Sequence, residues 1–144
     1  MSDSERRAAN RSAMEEILRR LGSQDFEGAC SLLDEDVHCD WPYPPMRDSA
    51  PVIQGRAAVE KFFREGMSAF DPYRYEITAV FELLDPDCLI AEYHSNSKLL
   101  ASGAPYRNDY LGIFRFRGGK VSHWREYINP VVVAEVLATL GETS

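Results

Sequence analysis

The order of apolar patterns predicts an α+β fold, with helices packed on one face of a curved antiparallel sheet. Three observations carry that expectation. Helical spacing dominates as far as Asp71-Pro72, four strand-length segments follow, and Gly, Pro and Asp turn signals separate them. The pairing of layers is cone-shaped and leaves a cavity between the sheet and the three helices of the N-terminal half.

Residues from about Ser4 to Leu21 form the first helix, with Ala8, Met14, Ile17, Leu18 and Leu21 on one stripe. Gly22-Ser23 ends it. Asp25-Phe26-Glu27-Gly28 starts a short second helix whose Phe26, Ala29, Leu32 and Leu33 face the core. Asp34-Glu35-Asp36 then leads into a strand from Val37 to Trp41. Pro42-Tyr43-Pro44-Pro45 stops that strand, because proline cannot donate to a ladder. Residues 42–51, with a further proline at Pro51, form a loop suited to rim a pocket. Gly55 opens the third helix, whose Val59, Phe62, Phe63, Met67 and Phe70 recur at helical spacing. Strands follow at about Tyr73–Leu84, Cys88–Leu99, Tyr106–Phe116 and Lys120–Ile128. A last helix, Val131–Leu140, follows Pro130, a residue suited to a first helical turn. With no repeat or linker, residues 1–144 read as one domain.

Composition narrows the function. A hydrophobic fraction of 44% and a charged fraction of 27% are those of an ordinary soluble protein. The formal net charge of −7 argues against a phosphate-binding surface, so no nucleic-acid partner is expected. No apolar run approaches the roughly 20 residues that cross a bilayer. The first residues, Ser2-Asp3-Ser4-Glu5-Arg6-Arg7, lack the apolar core of a signal peptide. A cytoplasmic protein with no membrane contact is the expectation. Cys30, Cys39 and Cys88 are far apart and form no Cys-x-x-Cys pair, so they read as reduced, buried thiols. His38 and Cys39 are the nearest thing to a metal pair, but adjacent strand residues point to opposite faces. Neither a metal nor a cofactor is expected.

The last two strands carry the chemistry. Ser122, Trp124, Glu126 and Ile128 alternate onto one face of the final strand, which sets a lone carboxylate beside an indole. Tyr106, Asn108, Tyr110, Gly112, Phe114 and Phe116 form the concave face of its neighbour; Arg107, Asp109, Leu111, Ile113, Arg115 and Arg117 form the convex one. A three-residue loop, Arg117-Gly118-Gly119, is expected between them, setting Tyr110 opposite Glu126 and Gly112 opposite Trp124. Glu126 is then a proton-transfer group whose pKa an apolar pocket raises, or a structural carboxylate bonded to Tyr110 or a helix N–H.

Gly55-Arg56-Ala57-Ala58-Val59, the strand Tyr106–Phe116 and the run Gly119-Lys120-Val121 with Trp124-Arg125-Glu126-Tyr127 resemble the SnoaL-like branch of the nuclear-transport-factor-2-like superfamily. The resemblance covers essentially the whole chain and is strongest over residues 106–130. Tyr106-Arg107-Asn108, Phe114-Arg115-Phe116 and the ending at Asn129-Pro130 resemble the phenazine biosynthesis A/B proteins; Trp124-Arg125-Glu126-Tyr127 resembles limonene-epoxide hydrolases. The superfamily hosts isomerases, cyclases, hydratases, lyases, hydrolases and inert binders, so the fold alone does not give the function. The resemblance places the last acid of the hydrolase Asp-Arg-Asp triad on Glu126, but its arginine and first aspartate on Tyr93 and Ser95. The ketosteroid isomerase positions fall on Ile17, Trp41 and Gly112, and the phenazine histidine falls on Phe62. One element of the hydrolase and phenazine sites is kept, and in both it is Glu126.

The residues therefore point to a cofactor-independent acid–base enzyme, an isomerase, dehydratase, cyclase or lyase, acting on a moderately apolar aromatic or polycyclic molecule. Glu126 moves the proton, with Asp40 or His38 assisting from the first strand. Tyr93, Ser95, Asn108 and Tyr110 offer donors for an oxyanion, or else satisfy one another. Trp41, Phe62, Met67, Phe70 and Trp124 complete the wall of the substrate site. His94 and His123 fall on the convex parity, away from it. The alternatives are a non-catalytic binding protein and a variant epoxide hydrolase in which Asp40 replaces the missing acid. The convex face, rich in Arg, Tyr and apolar residues, is the expected homodimer interface.

Overall fold

The computed structural model describes residues 1–144 apart from Arg47, Ser49, Thr143 and Ser144. Helix α1 spans Asp3–Gly22, α2 Phe26–Cys30, α3 Arg56–Met67 and α4 Pro130–Ala138, the last followed by a 3-10 turn at Thr139–Glu142. Strands are β1 Leu33–Asp40, β2 Val52–Gln54, β3 Arg74–Glu82, β4 Cys88–Lys98, β5 Pro105–Arg117 and β6 Lys120–Ile128. They form one six-stranded sheet in the order β2-β1-β6-β5-β4-β3.

Local chemistry sets the helix starts. Ser2 caps α1 by accepting the Glu5 N–H at 3.1 Å. Asp25 caps α2 through the Gly28 N–H at 3.0 Å, and a Cβ on Gly28 would sit 2.1 Å from that carboxylate. Asn129 caps α4 through the Val131 N–H, with Pro130 in the first turn. The buried stripe of α1 is Asn10, Met14, Ile17, Leu18 and Leu21, and Ala8 is exposed instead. Asn10 replaces it because its amide reaches the β3–β4 turn, donating to Pro86 O at 3.0 Å and Asp87 Oδ1 at 3.2 Å.

Two expectations about the sheet change. Most of it is antiparallel, but β1 runs parallel to β6, pairing His38 with His123, Cys39 with Trp124 and Asp40 with Arg125. The acidic run Asp34-Glu35-Asp36 lies inside β1 rather than before it, and β2 returns antiparallel along β1. Of the rim loop 42–51, Arg47 and Ser49 lie outside the described residues.

The β5–β6 turn is a two-residue one. Arg117 pairs with Lys120, and Gly118 and Gly119 have φ of 58° and 82°, the left-handed pair of a type I′ hairpin. A register shift beyond Phe116 then leaves Ser122 as the extra residue of a bulge. The result moves every expected partner by two: Tyr110 faces Ile128, Gly112 faces Glu126 and Phe114 faces Trp124. Val121 and Trp124 are buried on the inner side, and Ser122 is not.

Replacing both Gly118 and Gly119 by alanine should lower stability by about 2 kcal/mol, because each must hold a left-handed φ. Gly118→Asn should be nearly neutral in the same turn. Urea unfolding checks both, and an equal loss from the two changes contradicts the type I′ assignment.

Candidate functional site

The parity of β6 turns Glu126 inward, opposite Gly112 of β5, and leaves it only 6% exposed. Trp41, just past the end of β1, donates its indole Nε1–H to Glu126 Oε1 at 3.1 Å. Tyr93 of β4 donates its hydroxyl to the other oxygen, Oε2. That second bond crosses a whole strand, since β5 lies between β4 and β6. Gly112 permits the crossing. It pairs with Ala91 on one side and Glu126 on the other, and a Cβ there would lie 2.9 Å from the Tyr93 hydroxyl and 2.6 Å from the Phe114 ring.

Burial pushes the Glu126 carboxyl up to about 7, against the opposing pull of the bonds from Tyr93 and Trp41. Each carboxylate oxygen carries one protein donor and keeps a second acceptor position. Burial also drives the Tyr93 hydroxyl well above its ordinary value, reinforced by the charge of Glu126, so it remains a donor.

Glu126 opens onto a cavity of about 310 Å³ between sheet and helices. Trp41, Phe62, Phe63 and Met67 close one side of it. Tyr75, Tyr106 and Tyr110 contribute from the sheet, with Tyr73, Phe70 and Ile128 beside them. Val133 and Leu137 of α4 complete the far end, and Pro45 and Met46 join from the loop after β1. Part of the tyrosine wall is locked by a polar chain. Ser95 Oγ lies 2.8 Å from the Tyr110 hydroxyl, which lies 3.3 Å from that of Tyr106. Asn108 Nδ2 donates to Tyr106 at 2.9 Å and to Asn129 O at 3.1 Å, tying the wall to the cap of α4.

The expected site residues divide into three groups. Glu126, Trp41, Tyr110, Phe62, Met67 and Phe70 line the cavity together. Tyr93, Ser95 and Asn108 are buried in the sheet-side wall and act on the cavity through Glu126, Tyr110 and Tyr106. Trp124 is a correction: it packs below the cavity in the core, its ring 5.0 Å from Phe114 and 5.5 Å from Phe63. Its buried Nε1–H meets no well-aligned acceptor among the described residues.

Asp40 and His38 are the larger correction. Val37, Cys39 and Trp41 take the inner face of this segment, so His38 and Asp40 project to the outer one, away from Glu126. There Asp40 accepts from His123 Nε2 at 2.7 Å and from Arg125 Nε at 2.9 Å. His38 stacks on His123 with ring centres 4.0 Å apart, and burial together with that neighbour lowers its pKa. The replacement acid needed for a variant epoxide hydrolase is therefore not at the cavity. Sequence reasoning also missed Tyr73, Tyr75 and Tyr106. The signal was present: Tyr73 and Tyr75 alternate onto one strand face, and Tyr106 shares the face of Tyr110.

Comparison with known proteins agrees with this architecture. Residues 14–124 match the SnoaL-like domain. The PhzA/B-like protein PA3332 of Pseudomonas aeruginosa is 28% identical over 123 residues, covering 83% of this chain and 84% of its own. A candidate isomerase from Bacillus subtilis superposes with a TM-score of 0.84 at 23% identity, over 96% of this chain and 97% of its own. The phenazine biosynthesis-related protein PhzB2 of Pseudomonas aeruginosa does so with a TM-score of 0.78 at 24% identity, over 94% and 89%. At those identities the two structures establish a shared fold.

A pH prediction follows from Glu126. Its carboxyl sits at about 7 in the folded chain and at its ordinary value near 4.5 once unfolded. Between those values unfolding releases a proton, so stability falls as pH rises and the loss is complete a little above 7. The total is on the order of 3 kcal/mol. Glu126→Gln mimics the protonated side chain and removes this slope. Urea unfolding should find the two proteins similar near pH 4.5 and the variant more stable at pH 8; parallel profiles contradict the assignment.

Proposed function

This chain belongs to the SnoaL-like domain family, and we propose that it is a cofactor-independent acid–base enzyme of the isomerase, dehydratase, cyclase or lyase type. Its substrate is a moderately apolar aromatic or polycyclic molecule held in the cavity, and Glu126 is its proton shuttle. One observation carries the reading: a buried carboxyl group whose pKa burial raises to about 7 faces a largely aromatic and aliphatic chamber, whose other acid, Glu65, is exposed. A group so placed is populated in both protonation states near neutral pH, which general acid–base catalysis needs.

The two donors on Glu126 fix its orientation and leave one acceptor position on each oxygen for a substrate proton. Trp41 and Tyr93 thus serve as positioning residues, and Tyr110 with its Ser95 and Tyr106 partners offers a hydroxyl to developing negative charge. The relationship to a protein of phenazine biosynthesis supports an aromatic, polycyclic substrate. The same two donors also favour a second reading, a non-catalytic binding protein in which Glu126 only orients the ligand. In either case the proposed assembly is a homodimer through the outer sheet face, where Leu111 and Ile113 are half-buried among Arg107, Arg115 and Arg125.

Glu126→Gln separates the two readings. Gln keeps the shape, accepts from Trp41 through its oxygen and donates its NH2 to the Tyr93 hydroxyl in reversed direction, but carries no acid proton, so kcat should fall by roughly 10²–10⁴ with KM little changed. The wild-type rate should turn on through an ionisation near pH 7. Full activity in the variant assigns proton transfer elsewhere and leaves Glu126 an orienting group.

A further inference from the structure

The cavity wall holds four tyrosines, and the protein uses only two of their hydroxyls. Those of Tyr106 and Tyr110 belong to the chain that runs through Ser95 and Asn108. Tyr73 and Tyr75 stand outside it: among the described residues nothing hydrogen-bonds either hydroxyl. Tyr75 lies in β3 and Tyr73 one residue before it, and their ring centres are 5.6 Å apart. The Tyr75 ring lies 5.8 Å from that of Tyr93, whose hydroxyl holds Glu126. Among the described residues only Trp124 Nε1 is a fully buried polar atom without a partner, so the Tyr73 and Tyr75 hydroxyls are open to the cavity they line, where a ligand can reach them. Two such hydroxyls beside one carboxyl suggest that the partner is a ligand.

The charge of the lining limits that ligand. Among the described residues no Lys, Arg or His lines the cavity, whereas Glu126 lies at its base and the exposed Glu65 also borders it. The remaining lining is aromatic and aliphatic, presenting ring faces that carry partial negative charge. A carboxylate placed here would be desolvated next to another carboxylate with no cation to answer it. A carbonyl oxygen needs only donors, and the two free hydroxyls supply them.

We infer that the cavity selects an uncharged aromatic ketone or quinone, roughly two or three fused rings in size, whose carbonyl oxygen accepts from Tyr73 and Tyr75, and that it rejects the corresponding carboxylate. Tyr73 and Tyr75 are then specificity-determining residues. The inference rests on the proposed small-molecule function and names its substrate class.

The test is a matched set of probes, 2-acetylnaphthalene, naphthalene and 2-naphthoate, titrated at pH 8 against tryptophan fluorescence, since Trp41 lines the cavity. The wild type should bind the ketone about tenfold more tightly than naphthalene, the worth of one or two hydrogen bonds. It should bind 2-naphthoate weakest of the three. In Tyr73→Phe/Tyr75→Phe the advantage of the ketone over naphthalene should vanish while naphthalene binding is kept, which also shows that the variant folds. In Glu126→Gln the penalty on 2-naphthoate should shrink. The inference is overturned if 2-naphthoate matches the ketone in the wild type, or if the ketone keeps its advantage in the double variant. Either of those outcomes, with all three probes bound, leaves the proposed role of Glu126 standing. Failure of every probe to bind overturns this inference and the small-molecule reading together.

Discussion

A carboxyl group buried under an apolar chamber is the constraint around which this fold is arranged. Left alone, Glu126 would be a costly ion in a poorly solvated place. Three strands act together to hold it: β6 presents it, β4 sends Tyr93 to it, and β5 contributes a glycine where any side chain would block the tyrosine. Trp41 completes the arrangement from the far side of β6. The group is secured in position without being fixed in charge, because neither donor is a cation. A lysine in the place of either would keep Glu126 ionised and end its value as a proton carrier.

The parallel pairing of β1 with β6 explains why the two sheet faces differ so sharply. It sets Cys39 beside Trp124 inside, and Asp40 beside Arg125 outside. The inner face becomes the wall of an aromatic cavity with one buried acid, Glu126. The outer face gathers His38, Asp40, His123 and Arg125 into a bonded cluster that reaches no cavity atom. The same residues that look like a second acid–base pair in the linear sequence are thereby separated from the first by the thickness of the sheet.

The elements themselves were legible, because long periodic segments with clear punctuation leave little choice. Helix α1, the four strands from β3 to β6, and the inward parity of Tyr110, Phe114 and Glu126 all follow from spacing alone. What spacing could not supply was register. A two-residue Gly-Gly turn and a bulge at Ser122 shift the pairing by two, and only that shift brings Gly112 against Glu126. His38 and Asp40 were misplaced for a different reason. They do share one face of the first strand, but the apolar alternation Val37, Cys39, Trp41 claims the inner one and turns both outward. Tyr73 and Tyr75 were legible as a pair on one face, but the pairing that sets Tyr75 against Ser95, next to the Tyr110 wall, is tertiary and shows only in the structure.

The ionisation of Glu126 is the quantity on which the whole account turns, and it is directly measurable. Side-chain carboxyl signals of ¹³C-labelled glutamate, with Glu126 assigned by its loss in Glu126→Gln, can be followed across pH. The account predicts a midpoint near 7, and a higher one in Tyr93→Phe, where a bond that favours the charged form is lost. A midpoint at the ordinary value near 4.5 would contradict it, since Glu126 would then be a solvated or paired carboxylate at every pH where the protein works.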